Sequence, residues 1–203
     1  MVSTVSYKEI KPQDWLQIPF IYPAMPQEFS RKIVEIGPGR GDFLFHLAES
    51  SPDAQVIGIE IKHKRVDKLI ARTEKRELKN IIIIQDDGRK ALKRFIKDMA
   101  VETIHINFPD PWPKNRHEKN RLISQGFISD CHQALKSDGA IYFTTDFERY
   151  AQEVAEEFKE FRGFKSLYLN QISLESDEAY PTFFAQKWIE MGRTIYYQKY
   201  VKS

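Results

Sequence analysis

Hydrophobic residues fall into short solid runs that alternate with longer, periodically spaced stretches. Residues 32–36 (KIVEI), 55–60 (QVIGIE), 81–84 (IIII), 101–106 (VETIHI) and 140–144 (AIYFT) are the short runs. Near-continuous apolar stretches of this length suit parallel strands buried on both faces. Between them the spacing becomes helical: Phe43, Leu44, Leu47 and Ala48, then Val66, Leu69, Ile70 and Thr73, then Ala91, Leu92, Phe95 and Ile96. Leu122, Ile123, Phe127, Ile128, Cys131 and Leu135 predict another helix, which Ser137-Asp138-Gly139 would end. Phe147, Tyr150, Ala151, Val154, Ala155, Phe158 and Phe161 form a clean helical stripe after it. Residues 164–169 and 194–200 read as two last strands, with a polar, less regular insertion at 170–192 between them. Alternation of this kind predicts an α/β fold: a three-layer, Rossmann-like, mostly parallel seven-stranded sheet with helices on both faces. Residues 1–30 are polar and broken by Pro12, Pro19, Pro23 and Pro26, so they are expected to form an irregular arm ahead of a single domain at 31–203.

In an open parallel sheet, ligands bind beyond the carboxyl ends of the strands, where strand order reverses. Polar residues fall at those ends repeatedly. Gly37-Pro38-Gly39-Arg40-Gly41-Asp42 follows the first strand, Glu60 ends the second, Asp87 follows the third, Asp110 the fourth and Asp146 the fifth. Glycines in such a turn let the backbone approach a ligand closely. Glu60 lies about 20 residues beyond the glycines, where an acid bonds ribose hydroxyls. A dinucleotide motif would want a final Gly or Ala where Asp42 stands, and a pyrophosphate would be repelled by these acids. The pattern is instead Glu35-x-Gly37-x-Gly39-x-Gly41. S-adenosyl-L-methionine has no phosphate. It carries a sulfonium, an ammonium, a ribose diol and an adenine amino group, all suited to carboxylates. It is therefore the expected cofactor; the spacing from Asn80 favours Asp87 as the acid that faces it, and its neighbour Asp86 is expected in solvent.

The most distinctive stretch follows the fourth strand: Phe108-Pro109-Asp110-Pro111-Trp112-Pro113-Lys114. Pro109 and Pro111 fix their own φ and push Phe108 and Asp110 toward extended backbone, so Asp110 is expected in a stiff, extended loop. Trp112 offers an aromatic plane, and Lys114, Arg116, Lys119 and Arg121 offer cations for a phosphate backbone.

Bulk properties narrow the class only modestly. A net charge of +2 does not by itself indicate nucleic acid, but the charges are segregated: lysines and arginines crowd residues 62–79, and glutamates crowd 148–160. Cys131 is the only cysteine, which excludes an internal disulfide and a cysteine-based zinc site. No metal site is expected from ligand spacing. The N-terminus carries no long apolar run, so a signal peptide and a membrane span are not expected, and the cytoplasm is the default location. The scattered histidines, and Trp188, are expected to be structural.

On these residues the chain resembles the bacterial tRNA (guanine-N7-)-methyltransferase family, which has a class I methyltransferase fold. The resemblance runs from about Lys32 to Tyr200, and residues 108–121 (FPDPWPKNRHEKNR) are similar to that family's FPDPW-x-K-x-R-H-x-K-x-R signature. Thr145-Asp146-Phe147 with Tyr150-Ala151 is similar to its T-D-x-x-x-Y-A element. The resemblance implies methyl transfer from S-adenosyl-L-methionine to N7 of a variable-loop guanine in tRNA. It implies cofactor contacts at Glu35, Gly37, Gly39, Gly41, Glu60, Asp87 and Asp110, a catalytic role for Asp110, and substrate contacts at Lys114, Arg116, Asp146 and Thr182. A homo-oligomer is allowed but not indicated. One element departs from the family: Thr182-Phe183-Phe184-Ala185 stands where the family has Thr-x-Phe-Glu. Two readings follow, substitution by a nearby acid such as Glu190, or a weaker hold on guanine. A methyltransferase acting on another RNA or a small molecule, and an RNA-binding homologue with weak catalysis, are the alternatives.

Overall fold

The computed structural model describes residues 20–23, 29–96, 99–177 and 179–203. The strands are β1 (Phe20–Tyr22), β2 (Arg31–Ile36), β3 (Ala54–Glu60), β4 (Ile81–Gln85), β5 (Val101–Asn107), β6 (Leu135–Thr145), β7 (Phe164–Ser166) and β8 (Tyr196–Lys202). The helices are α1 (Asp42–Ser50), α2 (His63–Lys75), α3 (Gly88–Phe95), α4 (Gln125–Ala134), α5 (Glu148–Glu160) and α6 (Phe183–Glu190). All strands join one sheet in the order β1-β4-β3-β2-β5-β6-β8-β7. β4, β3, β2, β5 and β6 are parallel, whereas β1, β8 and β7 pair antiparallel.

The run of isoleucines in β4 shows why its sequence lacks alternation. Ile82 and Ile84 enter the core beneath α3, α4 and α5, while Ile81 and Ile83 enter the core beneath α1 and α2. Side chains alternate across a strand, so a strand covered on both faces must be apolar throughout.

Four boundaries differ from the sequence expectation. The arm contributes β1, which makes the sheet eight-stranded; Phe20, Ile21 and Tyr22 pair with Gln85, Ile84 and Ile83. The rest of residues 1–28, apart from Pro23, lies outside the described residues. Ser137-Asp138-Gly139 does not end a helix. α4 stops at Ala134 and β6 begins at Leu135, and Asp138 takes a left-handed φ of 60° inside the strand. The insertion contains α6, and β7 is shorter than expected.

Candidate functional site

The order of strands reverses at β2, which has β3 on one side and β5 on the other. Two loops leave the sheet there, Gly37–Gly41 after β2 and Phe108–Pro113 after β5. Gly37, Gly39 and Gly41 have φ of 74°, 56° and 82°. This left-handed region is costly for a residue with a Cβ. Their surroundings separate their roles. A Cβ on Gly37 would meet nothing within 4 Å, so this glycine opens space for a ligand. A Cβ on Gly41 would sit 2.5 Å from Leu69 and 2.7 Å from Phe45. Gly41 is thus needed for packing α1 against α2, and it lines neither hollow described below, contrary to its expected cofactor contact.

Two carboxylates are sunk beneath these loops. Glu35, on β2, is 3% exposed. Its Oε1 accepts a long bond of 3.5 Å from Asn107 Nδ2, and its Oε2 has no partner among the described residues. Burial, with Asp42 and Glu60 nearby, raises its pKa to about 8 despite the opposing bond from Asn107. Glu60, at the end of β3, is equally buried but satisfied. Its Oε2 accepts from the Gly39 N–H at 3.2 Å and its Oε1 from the Lys62 N–H at 2.8 Å, and Arg65 lies 3.7 Å away. The glycine turn and the acid 21 positions on are therefore built as one unit.

The Pro-Asp-Pro loop is not simply extended. Phe108 and Trp112, each followed by a proline, have φ of 50° and 44°. Such backbone persists only where the surroundings hold it. The Phe108 N–H donates to the Thr144 carbonyl at 2.8 Å. Arg121 Nε donates to the Pro111 carbonyl at 2.8 Å and Nη2 to the Trp112 carbonyl at 3.3 Å. Arg121 is buried, pairs with Glu153 and stacks over Tyr150. It is therefore a clamp on the loop and not one of the expected phosphate-binding cations. Held in this way, Asp110 projects into the open.

The loops enclose two hollows. The first, of ≈ 240 Å³, has walls from Glu35, Asp42, Asn107, Asp110, Asp146 and Thr182, together with Trp188 and Arg193. The second, of ≈ 530 Å³, has walls from Glu60, Ile61, Asp87, Gly88, Trp112 and Leu122. Gly37, Pro109 and Asp110 belong to both, so the hollows meet at the proline-braced acid. The expected residues thus divide between them. Lys114 and Arg116 lie on the exposed surface and line neither.

Several side chains have partners that the sequence did not disclose. Asp87 caps α3, accepting from the Arg89 N–H at 3.0 Å, and pairs with the Arg89 guanidinium at 2.5 Å. Hydrogen bonding to Arg89 lowers its pKa. Asp86, expected in solvent, is mostly buried and pairs with Arg94 at 2.7 Å. Asp146 pairs with Arg193. Trp188, expected in the core, stands half-buried in the wall of the first hollow, a position visible only once α6 folds over the sheet.

The departure at Ala185 also has a physical place. Thr182 caps α6, its Oγ1 accepting from the Ala185 N–H at 3.1 Å. In a full capping box a glutamate at this position would bond back to the cap residue's N–H. Here that N–H donates to the Tyr180 carbonyl at 2.8 Å, and Ala185 is buried. Glu190 is exposed and lines neither hollow, so it does not replace the missing acid.

Comparison with known proteins agrees with this architecture. Residues 30–198 match the model of a family described as putative methyltransferase. The chain is 32% identical over 192 residues to the tRNA (guanine-N(7)-)-methyltransferase of Thermotoga maritima, covering 95% of this chain and 60% of that protein. It is 33% identical over 171 residues to the protein of the same name from Geobacter metallireducens, covering 84% of this chain and 81% of that one. The chain thus spans less than two thirds of the Thermotoga relative. Among solved structures, a SAM dependent methyltransferase from Aquifex aeolicus superposes with a TM-score of 0.61 at 13% identity, covering 87% of this chain and 84% of the other. The 16S rRNA methyltransferase KamB superposes with a TM-score of 0.65 at 12% identity, covering 86% and 89%.

Proposed function

The chain belongs to the tRNA (guanine-N(7)-)-methyltransferase family, and on that premise we propose that it transfers a methyl group from S-adenosyl-L-methionine to N7 of a variable-loop guanine in tRNA, in the cytoplasm. The observation that carries the proposal is the meeting of two acid-lined hollows at Gly37, Pro109 and Asp110. One hollow would take the nucleoside half of the donor. The other would take its amino-acid half and the purine.

The residues present fit the cofactor. The unpartnered, buried oxygen of Glu35 suits an ammonium group. Glu60 is held by two backbone N–H groups, facing the hollow where a ribose diol would lie. Asp87 and Gly88 line the same hollow and suit an adenine edge. Gly37 leaves the backbone bare where the donor would pass. When bound, S-adenosyl-L-methionine supplies an electrophilic methyl group on a sulfonium.

The side chains of the protein then have a limited task. Guanine N7 presents an in-plane lone pair, so no base need remove a proton before attack. Alignment of N7 with the methyl group accounts for most of the required assistance. Asp110 stands where the hollows join and stabilises the positive charge that arrives on the imidazole ring of the purine as the methyl group transfers. The clamp by Arg121 fixes Asp110 without neutralising it. Asp146 and Thr182 lie on the purine side. Lys114 and Arg116, on the exposed rim, meet phosphates. Among the described residues no helix is long and apolar enough to cross a membrane.

The test is transfer of radiolabelled methyl from S-adenosyl-L-methionine to an unmodified tRNA transcript, with mapping of the labelled base. Label at N7 of a variable-loop guanine supports the proposal. Label on another base, or on no RNA, refutes it.

A further inference from the structure

One wall of the first hollow carries a contact that neither the cofactor nor the Pro-Asp-Pro loop requires. Arg193 follows Gly192, which turns the chain out of α6 at a φ of 71°. Its guanidinium pairs with Asp146 and lies 4.1 Å from the centroid of the Trp188 ring. Lys187 Nζ lies 4.8 Å from the same ring. Asp146, Trp188 and Arg193 all line the hollow.

A guanidinium is a flat group with a row of N–H donors along its edge. Guanine has the same character on its pairing edge, where N1–H and the N2 amino group donate side by side in the ring plane. A carboxylate can accept from such an edge in the plane, and an indole can stack on the face. Arg193 takes both contacts within its own chain, from Asp146 and Trp188. It therefore engages the groups that a guanine in this hollow would need. Ala185 supplies no further acceptor, since its side chain is a buried methyl group.

We propose that Trp188 is the stacking surface of the guanine subsite, and that Arg193 occupies the subsite as an internal stand-in which guanine displaces. The inference rests on guanine being the substrate base. Arg193 is about half exposed, so its side chain can leave without dragging a buried group into water. While the pair persists, the affinity for the base is reduced by the fraction of molecules in which Arg193 has withdrawn.

The test measures KM and kcat on an unmodified tRNA transcript for wild type, Trp188→Ala, Trp188→Phe and Arg193→Ala, with cofactor affinity by calorimetry as a check on folding. Loss of a base–aromatic stack is expected to raise KM about 5- to 150-fold in Trp188→Ala. Trp188→Phe should recover most of that loss, and Arg193→Ala should lower KM several-fold. Cofactor affinity should be unchanged in all three. An unchanged KM in Trp188→Ala, or a Phe variant as impaired as the Ala variant, overturns the stacking role. A raised KM in Arg193→Ala overturns the stand-in, because it makes Arg193 a direct substrate contact. Mapping the wild-type product separates this failure from the failure of the proposed function. Methyl on a base other than guanine removes both, whereas guanine N7 methylation with unresponsive variants removes only this inference.

Discussion

Replacing Glu35 by Gln separates what the carboxylate does for ligand binding from what it costs the fold. The buried carboxyl has its pKa raised from 4.5 to about 8, chiefly by burial. In the unfolded chain it ionises near its ordinary value. Between those two values the folded protein holds a proton that the unfolded chain has released, so stability falls as pH rises from about 4.5 to about 8. At pH 7.5 the gap is about three pKa units, or about 4 kcal/mol, and at pH 4.5 it vanishes. Gln fills the same volume and needs no proton. For a domain of this size, about 1 kcal/mol moves Tm by about 2–4 °C. The variant should therefore melt on the order of 10 °C above wild type at pH 7.5 and level with it at pH 4.5, both without cofactor. The same carboxyl should have to lose its proton before it can pair with an ammonium. Calorimetric titration with S-adenosylhomocysteine at pH 7, in two buffers of different ionisation enthalpy, should show release of nearly one proton by wild type and none by the variant, which binds far more weakly. Equal melting at both pH values, together with no buffer dependence, would show that Glu35 is not the buried, ligand-seeking acid described above.

Further outcomes follow from the geometry. Asp110→Ala should lower kcat about 100- to 1,000-fold, the range seen when a charge-stabilising group is lost, while filter binding shows tRNA affinity largely kept. Arg121→Met keeps bulk but strips the donors from the Pro111 and Trp112 carbonyls. Urea titration should register a loss of about 1–3 kcal/mol, with turnover falling further than the folded fraction. Gly41→Ala, whose methyl group would lie 2.5 Å from Leu69, should destabilise the fold. Gly37→Ala, with nothing within 4 Å, should cost only backbone strain of about 1–2 kcal/mol and yet weaken cofactor binding in calorimetry. Lys114→Ala and Arg116→Ala should weaken tRNA binding by similar factors across tRNA sequences, each reducing the log-affinity against log-salt slope by about one.

The sheet was legible because burial on both faces leaves the four isoleucines of β4 unbroken and makes most positions of β2 and β3 apolar, with Glu35 and Glu60 standing out against that background. The strand-end acids were legible because the topology of a parallel sheet brings carboxyl ends to one rim, however far apart the residues lie in sequence. What escaped was the choice of partner, near in sequence or far. Arg121 looks like its basic neighbours in sequence, and only the fold shows it buried against Glu153 and the carbonyls of Pro111 and Trp112. Asp86 and Asp87 differ in the arginine that each meets, Arg94 and Arg89. Trp188 reads as one more aromatic in an irregular segment until α6 sets it beside Asp146. The short β1 carries too few residues for a periodic signal, and its pairing with β4 fixes it as a strand.

The most direct measurement is a crystal structure of the protein soaked with S-adenosylhomocysteine. Electron density should run from the amino group beside Glu35, past Gly37 and Asp110, to a ribose on Glu60 and an adenine near Asp87. Density lying elsewhere, or leaving Glu35 and Glu60 without contact to a single ligand, would contradict the joined-hollow account of the site.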